Sequence, residues 1–322
     1  MKTVSLSPMM IIPLMLGGCA GIPTGEYATA QFKDAEISYA QLDANLTLRY
    51  LKLGRGEPLL LIHTMRTQLD YFERVIPLLA KTFTVYAIDL PGHGYSTIDR
   101  SAAYSEPQFR QAVTAFIDKL DLSKVTIVGE SIGGVLALAV ANAIPHKVTH
   151  VYSINPYDYG GRYGGGIRRS SVYGDLVIGS FGIPVIGQIS AALENRFVLR
   201  KILEGGLRDT QNLPPELLAE FDAIGRRHGY RHVERSTFSN WKSWIEARQL
   251  YSSVKAPTTF IYGDGDWSYE GERNANVAAV PNARLVTLKD TGHFASLERA
   301  REIAEIIQMD AGPMISHVTT AR

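Results

Sequence analysis

The strongest constraint on the fold is a regular alternation of short strand-like segments with helical segments along most of the chain. Two runs typical of β-strands flank the turn Asp43-Ala44-Asn45, which predicts a β-hairpin at the start. Strands are predicted at 37–42, 46–53, 58–63, 83–88, 124–128, 148–154, 258–262 and 285–288, and helices at 69–79, 109–120, 135–144 and 295–307. This alternation predicts an α/β fold, a mostly parallel eight-stranded sheet with helices on both faces.

The alternation stops between residues 156 and 243, where the chain is first rich in glycine, then apolar, then helical in character. We predict a helical cap or lid at 156–243, inserted into a core formed by residues 35–155 and 244–310, with a tail at 311–322. The glycine-rich run 160–166 is not followed by the Lys-Ser or Lys-Thr of a phosphate-binding loop. It is therefore interpreted as an edge of the cap.

The charge of the whole chain gives no sign of a nucleic-acid partner or of an anionic membrane surface. The 322 residues include 33 Lys and Arg against 32 Asp and Glu, with no long run of either sign. His228 and His232 could share one helical face, but no third ligand follows at a spacing typical of a metal site. We predict a small-molecule substrate, no metal and no cofactor.

The N-terminus has the features of an export signal: a lysine, an apolar stretch and then small residues. The segment Leu16-Gly17-Gly18-Cys19 resembles the lipobox of bacterial lipoproteins. The resemblance implies that residues 1–18 are a signal peptide and that Cys19, the only cysteine, carries a lipid anchor. Residues 19–34 would then tether the folded body to the membrane.

Two locations stay open for the protein. Ala20 directly after the cysteine resembles lipoproteins sorted to the outer membrane, which favours the cell envelope on the periplasmic side. The alternative is a cytoplasmic enzyme with an apolar leader, because the positive region is a single lysine. The leader is too short, and too broken by Pro13, for a comfortable transmembrane helix.

A pentapeptide with the spacing of a nucleophile elbow, Gly129-Glu130-Ser131-Ile132-Gly133, follows the strand predicted at 124–128. In such an elbow the serine lies on a sharp turn from strand to helix, and the glycines allow close packing. The pentapeptide alone is weak, because a chain with 29 glycines can match it by chance. The strand before it and the helix after it supply the required context. Ser131 is therefore the candidate nucleophile, and we expect Glu130 to point away and bond to neighbouring backbone.

Asp266 and His293 complete a candidate catalytic triad. Each follows a predicted strand, and the carboxyl ends of parallel strands are where such sheets place their sites. The order serine, acid, histidine along the chain is the one expected of a nucleophile elbow on this kind of sheet. Asp264 is an alternative acid, but the spacing from Gly263 favours Asp266, and Asp264 is interpreted as shaping the turn.

With the loop at 89–96, these motifs make the chain resemble the α/β-hydrolase superfamily from residue 37 to residue 309. The resemblance implies the α/β-hydrolase fold with a cap, and an esterase, lipase, amidase or related activity. His293 would accept the proton of Ser131, while Asp266 would hold the correct tautomer and stabilise the imidazolium.

The oxyanion hole is expected from two backbone amides. One is the amide of Ile132, directly after the nucleophile, and the other is that of Met65, with Thr64 as a lesser candidate. Family members commonly have His-Gly where this chain has His63-Thr64. Without the glycine, fewer backbone conformations are allowed at residue 64. Removal of one oxyanion-hole donor typically adds ~3 kcal/mol to the activation barrier, so a misplaced loop would weaken catalysis.

Three side chains are candidate substrate contacts. Arg66 could hold a substrate carboxylate, or it could form a structural salt bridge with Asp70 or Glu73. Trp241 and Trp244 could line a pocket for an acyl chain or ring, although their spacing is also typical of a buried helix face.

The leading functional hypothesis is hydrolysis of a carboxylic ester of a small, apolar substrate through an acyl-enzyme on Ser131. Thioester, amide, lactone or carbon–carbon hydrolysis would use the same triad, and cofactor-free perhydrolysis would use the same site. The alternative from another class is a lipid-anchored ligand-binding or sensory protein with a vestigial triad, which the non-glycine oxyanion loop favours. The oligomeric state is not indicated by the sequence.

Overall fold

One sheet of eight strands organises the protein, whose computed structural model describes residues 32, 34–159, 165–170, 172–180, 183, 186 and 195–315. The strands are β1 (Glu36–Gln41), β2 (Thr47–Gly54), β3 (Pro58–Ile62), β4 (Thr84–Ile88), β5 (Val125–Glu130), β6 (Val148–Ile154), β7 (Thr258–Gly263) and β8 (Arg284–Leu288). Their order across the sheet is β1-β2-β4-β3-β5-β6-β7-β8. β2 is antiparallel to both β1 and β4, whereas β3 to β8 run parallel. The predicted mostly parallel sheet is confirmed.

Helices cover both faces of the sheet. Every residue of the central strands β5 and β7 is buried, whereas most of the edge strand β8 is exposed or half-buried. The helices are α1 (Ile76–Leu79), α2 (Glu106–Lys119), α3 (Ile132–Ala143), α4 (Gly165–Ser170), α5 (Val172–Ser180), α6 (Arg196–Glu204), α7 (Pro215–Gly225), α8 (Tyr230–Ser239), α9 (Trp241–Glu246), α10 (Glu270–Ala279), α11 (Ala295–Glu298) and α12 (Ala300–Ile315). Short 3-10 helices occupy Leu69–Phe72, Thr210–Asn212 and Ala247–Ser253.

Three helices differ from the sequence-based expectation. The helix expected at 69–79 is a 3-10 turn followed by α1, whose first turn contains Pro77; proline has no N–H to continue an earlier helix. The closing helix is divided at Arg299 into α11 and α12. Helix α10 was not predicted, because its sequence is mostly polar and Asn276 is its only buried residue.

Helices α4 to α9 lie between β6 and β7 and cover the carboxyl ends of the parallel strands. The later cap helices bond to the core loops: Tyr95 donates to Glu220 at 2.8 Å, and Ser236 donates to the carbonyl of Ala103 at 2.7 Å. The exact domain boundaries stay predictions.

The predicted signal peptide, Cys19 and most of the tether lie outside the described residues. Over the part of the chain that the structure describes, no helix combines the length and apolar character needed to cross a membrane.

A buried cluster of charges joins the loops around the site. Arg49 on β2 is fully buried, with its Nε 2.6 Å from Asp89 and its Nη2 2.9 Å from Asp70. Asp89 also accepts the backbone N–H groups of Leu69 and Tyr95, both at 2.8 Å. The cluster therefore connects β2 to the loops after β3 and β4. Buried charges persist only when they are paired and hydrogen-bonded in this way.

We expect Arg49→Met to lower the free energy of unfolding by about 3–5 kcal/mol, because it leaves two buried carboxylates without their cation. The measurement is denaturant unfolding followed by circular dichroism. Arg55→Met, at an exposed arginine in the turn after β2, is the matched control and should change stability by less than about 0.5 kcal/mol. Equal stability of the two variants would contradict the structural role of the cluster.

Candidate active site

Ser131 lies on the turn between β5 and α3 with φ 61° and ψ −120°, a backbone conformation that is strained for any residue with a side chain. Its N–H donates to the carbonyl of Ile154 at 2.9 Å, which ties the turn to β6. The flanking glycines are required by space: a Cβ on Gly129 would lie 1.9 Å from the carbonyl oxygen of Gly133. A Cβ on Gly133 would lie 2.1 Å from the carbonyl oxygen of Ile62. The local structure is that of a nucleophile elbow.

The structure brings Ser131, His293 and Asp266 together as a hydrogen-bonded chain. His293 Nε2 is 3.0 Å from Ser131 Oγ, and His293 Nδ1 is 2.5 Å from Asp266 Oδ1. The three residues are buried, Ser131 and His293 to 1% exposure. Since a carboxylate only accepts, Nδ1–H donates to Asp266, and Nε2 is left to accept the serine hydroxyl proton.

Asp266 is held in the charged form. Burial alone would raise its pKa, but the adjacent His293 and hydrogen bonds from the backbone N–H and hydroxyl of Ser268 lower the pKa below the usual value. Asp264 has a different role: its carboxylate accepts the N–H groups of Asp290 at 3.1 Å and Thr291 at 3.2 Å. It shapes the loop that carries the histidine.

Two further side chains, the buried Asn155 and the half-buried Glu298, hold the acid and histidine loops in place. Asn155 Nδ2 donates to the carbonyls of Gly292 (3.1 Å) and His293 (2.8 Å), and its Oδ1 accepts the N–H of Gly263 at 3.0 Å. Glu298 accepts the N–H of Gly292 at 2.6 Å. The sequence does not indicate either role: the contacts of Asn155 join segments more than 100 residues apart, and nothing in the local pattern marks the six-residue contact of Glu298.

Trp267 is another site residue that sequence reasoning missed. Its ring stacks on the His293 ring at 3.9 Å between centroids and 10° between planes, and Nε1 donates to the carbonyl of Gly205 at 3.1 Å. A Cβ on Gly206 would come within 2.8 Å of the indole, so this glycine leaves room for it. The stacked indole shields one face of the imidazole and helps to fix the orientation of the ring.

The loop after β3 lies beside the nucleophile, and two side chains fix the peptide between Thr64 and Met65. The carbonyl of Thr64 accepts from His63 Nδ1 at 2.7 Å and from Thr67 Oγ1 at 2.8 Å. Since the C=O and N–H of a trans peptide point in opposite directions, the N–H of Met65 points away from these donors. Thr64, Met65 and Ser131 line one cavity. This arrangement fits the expected oxyanion donor at Met65, while the amide of Ile132 opens helix α3 beside the nucleophile.

His63 is a neutral structural residue in this loop. Its Nε2 accepts the N–H of Leu90 at 2.9 Å, so the ring proton lies on Nδ1, which donates to Thr64. Burial lowers the pKa of His63 to about 4, which keeps the ring uncharged at neutral pH.

Arg66 lies at the rim of the site and is engaged by the cap. Its Nη1 donates to the carbonyl of Phe221 at 2.9 Å, its Nε is 3.6 Å from Glu234, and its guanidinium lies 5.0 Å from the ring centroid of Tyr230. Asp70, which was one expected partner, belongs to the buried cluster described above. Arg66 has φ 64°, so its backbone occupies the left-handed region that glycine prefers.

The cavity above Ser131 is mostly apolar and small, about 30 Å³. It is lined by Thr64, Met65, Arg66, Ser131, Tyr157, Ile167, Ile178, Leu199, Ile202, Leu203, Glu234, Phe238, Trp267 and Phe294. Its apolar lining suits an acyl chain or another apolar group.

The structure places neither of the two tryptophans expected to contact substrate in the cavity wall. Trp241 packs with its ring centroid 4.6 Å from that of Tyr157, and Trp244 is fully buried 5.4 Å from the ring of Phe109. Their spacing reflects a buried helix face, so the pocket assignment is corrected to packing.

Glu130 is buried beside the nucleophile and points away from it, as expected. Its carboxyl accepts from the N–H of Ser296 at 3.3 Å and from the Ser296 hydroxyl, which ties the elbow to α11 after the histidine loop. Burial raises the pKa of Glu130 to about 8.

The Glu130 carboxyl makes stability depend on pH. Between its usual pKa of 4.5 and about 8, the folded protein holds a proton that the unfolded chain releases, so stability falls as pH rises through this window. Glu130→Gln cannot ionise, and we expect its stability relative to wild type to increase by about 1.4 kcal/mol per pH unit within the window. Denaturant unfolding at several pH values measures this. Glu57→Gln, at an exposed glutamate, is the control and should show the same pH dependence of stability as wild type. If Glu130→Gln also shows the pH dependence of wild type, the raised pKa of Glu130 is contradicted.

The family model for the alpha/beta hydrolase fold matches residues 57–176. The 2-hydroxy-6-oxononadienedioate/2-hydroxy-6-oxononatrienedioate hydrolase of Cupriavidus pinatubonensis is 25% identical over 243 residues, which cover 74% of this chain and 79% of that protein. The dihydrolipoyllysine-residue acetyltransferase component of the acetoin cleaving system of Cupriavidus necator is 24% identical over 286 residues, 87% of this chain and 71% of that protein.

Among solved structures, the naproxen esterase of Bacillus subtilis superposes with a TM-score of 0.70 at 16% sequence identity, over 88% of this chain and 94% of that chain. The chain therefore has the α/β-hydrolase fold, and the family model together with the curated relative supports a hydrolase of that fold. Within the described residues, no group of three or more His, Cys, Asp or Glu side chains is arranged to hold a metal ion.

Proposed function

We propose that this protein is a serine hydrolase that cleaves a carboxylic ester of a small, apolar substrate through an acyl-enzyme on Ser131. The observation that carries the proposal is the unbroken hydrogen-bonded chain from Ser131 Oγ through His293 to Asp266, beside a mostly apolar cavity. The resemblance to the naproxen esterase supports an ester as the bond that is cleaved. The ordered triad favours turnover over the alternative of a binding protein.

In the first step, His293 Nε2 accepts the hydroxyl proton while Ser131 Oγ attacks the carbonyl carbon of the ester. The carbonyl oxygen takes the negative charge, which the amides of Ile132 and Met65 stabilise. When the C–O bond of the ester breaks, His293 returns the proton to the leaving alcohol. Water then attacks the acyl-enzyme, with His293 as base again, and releases the acid and free Ser131. Asp266 stabilises the imidazolium in both halves.

The cavity favours a neutral acyl group. Its wall includes Ile178, Leu199 and Phe238, and its two charged side chains, Arg66 and Glu234, lie 3.6 Å apart with opposite charge. A substrate carboxylate would have to compete with the carboxylate of Glu234 for the guanidinium of Arg66. This argument reverses the sequence-based alternative of an anionic substrate.

The proposal includes the cell envelope as the site of action. The lipobox-like segment that ends at Cys19 supports an exported lipoprotein on the periplasmic side of the outer membrane. Globomycin, an inhibitor of lipoprotein signal cleavage, should make a higher-mass precursor accumulate in a bacterial host. An unchanged mass in its presence would contradict the lipid anchor.

A fluorophosphonate probe tests the nucleophile. We expect the wild-type protein to be labelled and to turn over short-chain and medium-chain esters, because the probe reacts with a serine activated by a neighbouring base. Ser131→Ala should lose both signals while keeping its circular dichroism spectrum. Labelling that persists in Ser131→Ala, or none in the folded wild type, would overturn the assignment.

The role of Asp266 as the catalytic acid can be tested against Asp264, which lies in the same loop. Asp266→Asn should lower kcat by about 10⁴, because an amide no longer holds the catalytic tautomer of His293. Asp264→Asn keeps an acceptor for the N–H groups of Asp290 and Thr291, so kcat should stay within about threefold of wild type. Equal losses in the two variants would remove the distinction between the acid and its neighbour.

A further inference from the structure

Helix α5 is apolar on nearly every side, yet only one side is buried. Ile178 is 2% exposed and lines the cavity above the nucleophile, whereas Val172 is 72%, Leu176 66% and Tyr173 41% exposed. Val172 and Leu176 are four residues apart and therefore lie on one face of the helix. A helix that is apolar on all sides is normally buried in apolar surroundings. The outer face of α5 instead exposes its apolar side chains.

Helix α6 extends the same exposed surface. Phe197 is 55% exposed, and its ring lies 5.9 Å from that of Tyr173 in an edge-to-face arrangement. The opposite side of α6 contributes Leu199 and Ile202 to the cavity. Val172, Tyr173, Leu176 and Phe197 form a surface that we name the outer cap face. One layer of helices separates it from the cavity.

The helices that carry the outer cap face have an excess of positive charge. Helices α4, α5 and α6 contain five basic residues against two acidic ones, although the whole chain is nearly balanced. The basic residues are Arg168, Arg169, Arg196, Arg200 and Lys201, and the acidic ones are Asp175 and Glu204. Three of the basic residues form ion pairs, Arg168 with Asp175, Arg169 with Glu272 and Lys201 with Glu204, whereas Arg196 and Arg200 are exposed beside the outer cap face. Exposed apolar side chains bordered by arginine and lysine are typical of surfaces that lie in the headgroup region of a bilayer.

We propose that the outer cap face docks on a lipid surface that carries anionic headgroups. The apolar side chains would enter the boundary between headgroups and acyl chains, and the exposed Arg196 and Arg200 would contact lipid phosphates. The lipobox-like segment supports this occupant: a tether over 19–34 spans at most about 50 Å, so an anchored protein stays close to a bilayer. The inference deepens the proposed function, since the substrate would be an ester delivered from the lipid phase.

Vesicle binding of the full chain carrying Cys19→Ala, which cannot be lipidated, tests the surface itself. We expect this protein to co-sediment with vesicles of phosphatidylcholine and phosphatidylglycerol, and Leu176→Asp to lower the partition coefficient about tenfold or more. Met309→Asp is the control, because Met309 is 78% exposed on α12, outside the cap, and should bind as before. Equal binding of the two aspartate variants would overturn the proposal.

The basic residues are tested separately through lipid charge. Arg200→Gln should weaken binding to vesicles with phosphatidylglycerol about fivefold and leave binding to pure phosphatidylcholine unchanged. Exposed Arg55→Gln, outside the cap, should have no effect on either. A loss of similar size with both lipid mixtures would contradict headgroup recognition by the basic residues.

A single thiol reports contact without a disruptive charge. Cys19 is the only cysteine, so Leu176→Cys in the Cys19→Ala chain takes one environment-sensitive fluorophore, and Met309→Cys is the matched control. We expect vesicles to increase and blue-shift the emission at position 176 only. An unchanged emission at position 176 would overturn the docking surface. A blue shift that appears without lipid and rises with protein concentration would also overturn it, because a second copy of the chain would then cover this face.

Hydrolysis of a short-chain ester dissolved in water, measured on the same preparations, separates this inference from the proposed function. Vesicle binding without any ester turnover would support the surface and contradict the hydrolase. Turnover without vesicle binding would support the hydrolase and overturn the surface.

Discussion

The left-handed backbone at Ser131 is the constraint on which the rest of the site depends. The sharp turn with φ 61° projects the hydroxyl out of the sheet and starts helix α3 at the next residue, so one turn places both the proposed nucleophile and the proposed oxyanion donor Ile132. The strain is tolerated because Gly129 and Gly133 allow backbone contacts that any side chain would block, and because β6 accepts the N–H of Ser131. Asn155, the residue directly after β6, forms hydrogen bonds with the loops that carry Asp266 and His293.

Buried polar contacts hold the surrounding loops more specifically than apolar packing alone. The Arg49 cluster joins the loops after β3 and β4, and His63 fixes the peptide that offers the Met65 amide. Arg66 connects that same loop to Phe221 and Glu234 of the cap. Arg66 and Glu234 also line the cavity above Ser131, so this contact between loop and cap is part of the site itself.

The sheet and the positions of the three triad residues could be predicted because their signals are local. Apolar runs mark the strands, and the elbow pentapeptide together with the loops after β7 and β8 marks the triad. Trp267 and Asn155 could not be found in this way, because stacking on His293 and bonding to its loop arise only when distant segments meet. For Trp241 and Trp244, the helical spacing correctly indicates that both lie on one helix face. The spacing does not indicate whether that face contacts a substrate or the protein interior, and the structure shows packing.

The most direct test of the account is whether catalysis passes through a covalent intermediate on the serine at the elbow. The measurement is intact-protein and peptide mass spectrometry after rapid acid quenching of a reaction with a p-nitrophenyl ester, alongside the time course of p-nitrophenol release. The account predicts a transient added mass equal to the acyl group, located on the peptide that contains Ser131, formed at the rate of the initial burst. Steady turnover with no acylated protein at any time, or an acyl group on a different residue, would contradict it.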